Sequence, residues 1–171
     1  MDISRWVAHW AAWSPAKTAL RFEGTQITYA ELEDRIARLA GVLHHRGAAR
    51  GDRVAYLGPN CPELLEAFLA CARLGAAFVP LNARMPSAEL EVYVKHTRPK
   101  LITAEDSFHG TARAALAGGT AEILPFAAGG GIGVAEIEIQ TGSPPTPAWL
   151  RPRPCSLPSP RGPRGLPRAR C

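Results

Sequence analysis

Acidic side chains are missing after Glu138, and long apolar runs are missing from the whole chain. No uninterrupted stretch approaches the roughly 20 apolar residues that a membrane-spanning helix needs, and no secretory h-region opens the sequence. A cytoplasmic location is therefore expected, with no transmembrane segment. The four cysteines, Cys61, Cys71, Cys155 and Cys171, have no CxxC spacing and no disulfide-rich pattern. Cys61 and Cys71 accordingly read as reduced core thiols.

Charge is present, but unevenly. The net charge of +5 over 171 residues suggests a polyanionic partner until it is divided along the chain. Residues 1–144 hold 14 basic and 15 acidic side chains, whereas residues 145–171 hold six arginines and no acid. Nine of the 16 prolines lie between Pro144 and Pro167. Repeated proline blocks helix and strand, and little in this stretch is apolar enough to bury. The body is electrically neutral, and the segment from Pro144 onward is expected to be disordered.

Within the body, the apolar pattern alternates between two periods. "DISRWVAHWAAW" places Ile3, Trp6, Val7, Trp10 and Trp13 on one helical stripe. Such a stripe fits a membrane surface or the helix's own domain; one arginine is weak attraction for a lipid surface, so packing on the domain is expected. "ALRFEGTQITY" predicts a hairpin turning at Glu23-Gly24. Thr28 and Glu31 form a capping box for a helix with Leu32, Ile36, Leu39 and Leu43 inward, stopped at Gly47. Asn60, with Glu63 three residues later, is expected to cap the next helix, which runs to Gly75. "DRVAYL", "AAFVPLN", "KLITAE" and "AEILPF" are short apolar strands, separated by helices from near Ser87 to Pro99 and over "SFHGTARAALAGG". Continuous apolar strands alternating with helices predict an α/β fold: a parallel sheet with helices on both faces, plus an amino-terminal β-hairpin.

Three blocks then carry a resemblance. "ITYAELEDRIARLAGVLHHRGAARGDRVAYLGPN", "ELLEAFLACARLGAAFVPLNARMPSAEL" and "VKHTRPKLI" resemble, in order and at matching spacing, the opening of the AMP-forming acyl-CoA synthetases. The resemblance covers about residues 1–126, roughly the first quarter of a full-length member. It implies an acid–CoA ligase that takes a carboxylic acid, ATP and coenzyme A. Magnesium would neutralise phosphate charge, and the acid would be a fatty or other apolar one. In that family a Thr/Ser/Gly-rich loop ending in Pro-Lys-Gly follows such a segment and holds the ATP phosphates. This sequence spells no such loop. The fragment is therefore expected to be inactive, to bind no cofactor itself, and to expose an apolar face that favours self-association.

The tail explains the missing loop. A common form of it is Thr-Ser-Gly-Thr-Thr-Gly-x-Pro-Lys-Gly-Ala-Val. Codons for that stretch, read one base late, can be chosen to give Pro-Arg-Gly-Pro-Arg-Gly-Leu-Pro-Arg-Ala-Arg-Cys, which is Pro160 to Cys171. The same displacement requires TCA for Ser159, and the residue concealed before the loop is then Phe, Leu, Ile or Val. The expected organisation is an amino-terminal part of the synthetase domain over 1–126, a stretch at 127–148 holding the displacement, and an out-of-frame Pro/Arg-rich tail over 149–171. One lost base or two gained would suffice, whether by sequencing error, in a pseudogene or as a true variant.

A different class of function competes with this reading. The tail contains PxxP spacings and could serve a proline-reading domain, or its arginines could track nucleic-acid phosphates. No aromatic is interleaved among those arginines to stack bases, so no specific nucleic-acid partner is expected. His44 and His45 are adjacent on a helix and point apart. His9, His96 and His109 are isolated, and Cys61 and Cys71 have no evident base. The glycine run "AAGGGIG" lacks the spacing of a dinucleotide fingerprint. No catalytic, cofactor-binding or metal residue is assigned.

Overall fold

In a computed structural model the chain is described at residues 3–127 and, as backbone, at 131–132; the Pro/Arg-rich tail expected from the sequence lies outside the described residues. Helix α1 covers Ser4–Trp13, and strands β1 (Thr18–Phe22) and β2 (Thr25–Thr28) follow as an antiparallel hairpin. Glu23 and Gly24 both have positive φ, at 46° and 82°, which is the backbone of a tight hairpin whose twist matches its strands. Helix α2 (Tyr29–His45) begins at the capping box expected from the sequence. The Thr28 hydroxyl accepts from the Glu31 N–H at 3.2 Å, and the Glu31 carboxylate accepts from the Thr28 N–H at 2.7 Å. The Thr28 N–H bond first, and then a bond donated by the Thr28 hydroxyl to the same carboxylate at 2.9 Å, hold the Glu31 carboxyl below the usual range. At its other end Gly47 adopts φ 87°, the Ala48 N–H reaches the Leu43 carbonyl at 2.8 Å, and buried Ala48 and Leu43 seal the turn.

The main sheet is built from β3 (Arg53–Leu57), β4 (Ala77–Leu81), β5 (Leu101–Glu105), β6 (Glu122–Ala127) and β7 (Gly131–Ile132). Its order is β4-β3-β5-β6-β7, parallel throughout except for β7, which pairs antiparallel with β6 and which the sequence reading does not anticipate. Helix α3 (Pro62–Leu74) links β3 to β4, α4 (Ser87–Thr97) links β4 to β5, and α5 (His109–Leu116) links β5 to β6. Val54, Tyr56, Leu101, Leu124 and Phe126 enter a core with Leu32, Ile36, Leu39 and Leu43 of α2 and Leu69 of α3. Ala55, Leu57, Ile102 and Ala104 enter a second core with Leu90 and Val94 of α4 and Ala112 and Ala115 of α5. Successive strand residues point to opposite faces, so two buried faces demand unbroken apolar strands.

Two details differ from expectation. Helix α3 is capped at Cys61 rather than Asn60, without a side-chain capping bond. Pro62 takes the first helical position, where its fixed φ fits and its missing N–H costs nothing. That moves the start one residue onward and turns Glu63 into the buried interior. On α1 the expected apolar stripe is only partly covered. Val7 is buried and the Trp10 ring stacks on Tyr29 at 5.8 Å, whereas Ile3, Trp6 and Trp13 remain 46%, 60% and 75% exposed.

Ion pairs join the helices and the strand starts. Across α2 and α3, Arg35 meets the buried Glu66 at 3.3 Å and Arg73 meets Glu33 at 2.7 Å. Burial pushes the Glu66 carboxyl up, and Arg35 opposes that shift. At the amino-terminal edge of the sheet, Lys100 meets Asp52 at 3.0 Å and Arg46 pairs with Glu122. The Lys100 bond, followed by the Ala49 N–H, lowers the Asp52 carboxyl.

Proline inside β4 and β6 is tolerated for a directional reason. The Ala77 N–H reaches the Asp52 carbonyl at 2.7 Å, so positions 77, 79 and 81 of β4 face β3 while 78 and 80 face outward. The Glu122 N–H reaches the Lys100 carbonyl at 3.3 Å, so position 125 of β6 faces away from β5. Pro80 and Pro125 thus lack donors only where the parallel ladder needs none. Val79→Pro removes an inward bond and strands a buried carbonyl. It is expected to lower unfolding stability by about 1–3 kcal/mol beyond any loss of packing, whereas Pro80→Val keeps the fold. Paired urea denaturation curves check the contrast; equal loss in both would contradict it.

Candidate functional site

From β3 the chain steps outward to β4 on one side and then crosses to β5 on the other. In open α/β sheets the crevice outside the strands' carboxyl ends at such a reversal is where ligands bind. Here that place lies between the ends of β3 and β5, at Gly58 and Glu105.

Side chains of three strands meet there. The Tyr56 hydroxyl donates to the Pro59 carbonyl at 2.9 Å and lies 3.1 Å from Cys61 Sγ. The Tyr56 ring packs on Phe126 at the end of β6, with centroids 5.4 Å apart. Gly58 runs beneath this contact. A Cβ on it would come within 3.1 Å of Tyr56 Oη, 3.2 Å of Glu105 Cβ and 3.2 Å of Phe126 Cζ. The Glu105 carboxylate accepts from the Ser107 N–H at 3.0 Å and from the Ser107 hydroxyl, tying β5 to a short 3-10 turn at Asp106–Phe108.

Protonation makes this cluster chemically quiet. Burial first, then Cys61 and the Glu63 and Glu105 carboxylates, pushes the Tyr56 phenol up, so it stays protonated. Burial, with Glu63 adding to it, raises the Cys61 thiol, and burial alone lifts the Cys71 thiol to about 12. A nucleophilic cysteine needs the opposite shift and a neighbouring base. Glu63 and Glu105 also set negative charge beside Tyr56, which suits neither a phosphate nor an acid substrate at that spot.

The histidines stay apart. His44 and His45 are exposed at the end of α2, where cationic side chains would suit the helix dipole. His9 stacks against Trp13 on α1, and His96 is exposed on α4. Among the described residues no group of three or more His, Cys, Asp or Glu side chains could hold a metal ion. Cys61 and Cys71 are free and buried, in keeping with reduced core thiols. No helix among the described residues is long and apolar enough to cross a membrane. In the sequence Gly58, followed by Pro59, punctuates the end of an apolar strand. Its contacts with β5 and β6 are long-range, and the only local sign was a glycine directly following an apolar run.

Residues 7–144 match the family of AMP-binding enzymes. Over 89 residues the chain is 52% identical to a feruloyl-CoA synthase of an Amycolatopsis species, covering 52% of this chain and 18% of that protein. Over 108 residues it is 41% identical to an indoleacetate–CoA ligase of Aromatoleum aromaticum, covering 63% of this chain and 21% of that protein. A fatty acyl CoA synthetase of Mycobacterium tuberculosis superposes with a TM-score of 0.67 at 28% identity, covering 75% of this chain and 27% of that one. The chain thus spans about a fifth of the length of the curated relatives it matches.

The raised thiols set two expected outcomes. At pH 7.5, roughly one unit below an ordinary thiol, Cys61 and Cys71 should resist iodoacetamide in the folded chain and react once urea unfolds it, as peptide mass mapping would reveal. With a model-peptide-like Cys71 in the unfolded state, the folded chain binds more protons between about pH 9 and about 12. The Cys71 contribution to stability is therefore complete below pH 9 and is lost as pH rises through that window. Cys71→Ala should flatten this part of the stability–pH curve; an unchanged slope would contradict the assignment.

Proposed function

The chain belongs to the AMP-binding enzyme family, and from that membership we propose that it is a portion of an ATP-dependent acid–CoA ligase. The reaction of the whole enzyme joins a carboxylate to AMP with release of pyrophosphate, and coenzyme A then displaces AMP to give a thioester. Magnesium would accompany the nucleotide and neutralise its phosphates. The family match over residues 7–144 carries this reading. The parallel sheet, with its strand reversal at β3 and β5, supplies a fold suited to it.

The acid is a fatty or other apolar one. Relatives named for ferulate and indoleacetate, together with a fatty acyl CoA synthetase among the similar structures, support that class and include aromatic members within it. The enzyme acts in the cytoplasm. The chain as it stands is inactive, because neither the described edge of the sheet nor the remaining sequence supplies the Thr/Ser/Gly phosphate loop. Residues 160–171 are that loop read one base out of frame, with the displacement within 127–148 and the out-of-frame tail over 149–171. The family match ends at residue 144, inside that window, which supports the placement. The exposed Ile3, Trp6 and Trp13 of α1 and Val92 and Tyr93 of α4 favour self-association of the isolated chain.

Four measurements decide the matter. Calorimetric titration of the 171-residue chain with ATP should show no binding, and acid-dependent pyrophosphate release should be absent. The codons beneath Pro160 to Cys171 should spell the loop in the displaced frame, preceded by an apolar residue and followed by further ligase sequence. A gene corrected to that frame should yield a protein that forms AMP only with acid, ATP and CoA together. Codons that give no loop would end the frame account and leave the arginine-rich segment as a basic arm. An intact corrected protein without AMP formation would end the ligase reading.

A further inference from the structure

Gly58 is small for a reason of space rather than of backbone, since it has none of the positive φ values seen at Gly24, Gly47, Gly51, Gly75 and Gly118. Three strands crowd it, and they differ in how freely they can yield. Tyr56 Oη is held by the Pro59 carbonyl and lies against Cys61 Sγ. Glu105 Cβ is fixed to the backbone of β5, between Ala104 in the second core and the 3-10 turn. The Phe126 ring is the remaining neighbour, and Phe126 sits one residue from the end of β6, where it pairs with Ile132 of β7.

We infer that Gly58 is a positioning residue: by leaving room for the Phe126 ring on Tyr56, it sets the carboxyl end of β6, and its pairing with β7, at the rim of the crevice. Its role in ligand binding rests on the ligase reading above; its control of β6 does not. A methyl group at position 58 meets Phe126 at 3.2 Å and moves the ring, because the other two contacts cannot follow. Movement of that ring displaces the end of β6 before it disturbs the middle of β3 or β5. Ligands of this type of sheet lie over that edge. The residue therefore acts through Phe126 and makes no claim to touch a substrate.

Hydrogen exchange on the chain as it exists tests the placement. Gly58→Ala should speed exchange of the amides at 126, 127, 131 and 132 by about tenfold or more, in line with the usual cost of overpacking, while β3 and β5 amides keep their rates. Gly58→Ala combined with Phe126→Leu should restore the slow rates, because the smaller side chain frees the space. A uniform rise over the whole sheet, or no change at β6 and β7, would overturn the inference. Phe126→Leu alone, which only removes volume, provides the folded control should Gly58→Ala unfold; its amides at 127 and 131 should then exchange faster than those of β3, and equal protection would also overturn it. In the frame-corrected protein, Gly58→Ala should raise KM for ATP several-fold at a temperature where the variant is still fully folded, with recovery in the double variant. If the corrected protein forms no AMP at all, the ligase reading fails while the exchange result stands on its own.

Discussion

Strand β3 has no face open to water. Val54 and Tyr56 enter one core and Ala55 and Leu57 the other, and all four are nearly or wholly inaccessible. This two-sided burial is what the remaining elements serve. Helices α2 and α3 must cover one face, α4 and α5 the other, and β4 and β5 must take up the backbone bonds on either edge. A polar residue survives at the centre only when paired: the buried Thr103 hydroxyl donates to the Ala55 carbonyl at 3.1 Å, next to β3 itself. Loss of the α2 or α4 covering would expose one side of every strand at once.

The two ends of the sheet are built differently. At the amino-terminal edge, Lys100–Asp52 and Arg46–Glu122 tie strand starts and the α2 turn together. Helices α2 to α5 run back against the strands, so their carbonyl ends gather there and basic side chains are electrostatically suited to it. At the carboxyl edge, packing rather than charge pairing dominates. Tyr56, Phe126 and Gly58 close the space between β3, β5 and β6, while Glu63 and Glu105 add negative charge. The described part of the chain is thus closely packed at the edge where ligands gather in such folds.

That contrast bears on the family relationship. Over 89 residues the chain shares 52% identity with feruloyl-CoA synthase, and the described strands and covering helices pack on two cores. These positions answer to core volume and backbone geometry, which a scaffold needs whatever acid is handled. Raised thiols at Cys61 and Cys71 fit the same description: they fill space, and burial keeps them protonated.

Local rules were readable wherever the partners lie within one turn of each other. The Thr28–Glu31 box, the left-handed Gly47 stop and the Glu23-Gly24 hairpin need only neighbours, so the residues alone determined them. The unbroken apolar strands likewise determined a sheet buried on both sides, because no other arrangement hides both sets of alternating side chains. Competition between neighbours already blurred the picture at α3, where Pro62 moved the cap from Asn60 to Cys61. The rest depended on which strands became adjacent. Tertiary structure alone decided that Pro80 and Pro125 face away from the ladder, that Trp6 and Trp13 stay exposed, and that Gly58 lies under Phe126. Each of these depends on contacts between residues far apart in the chain, and sequence spacing carries no record of the direction from which such a partner arrives.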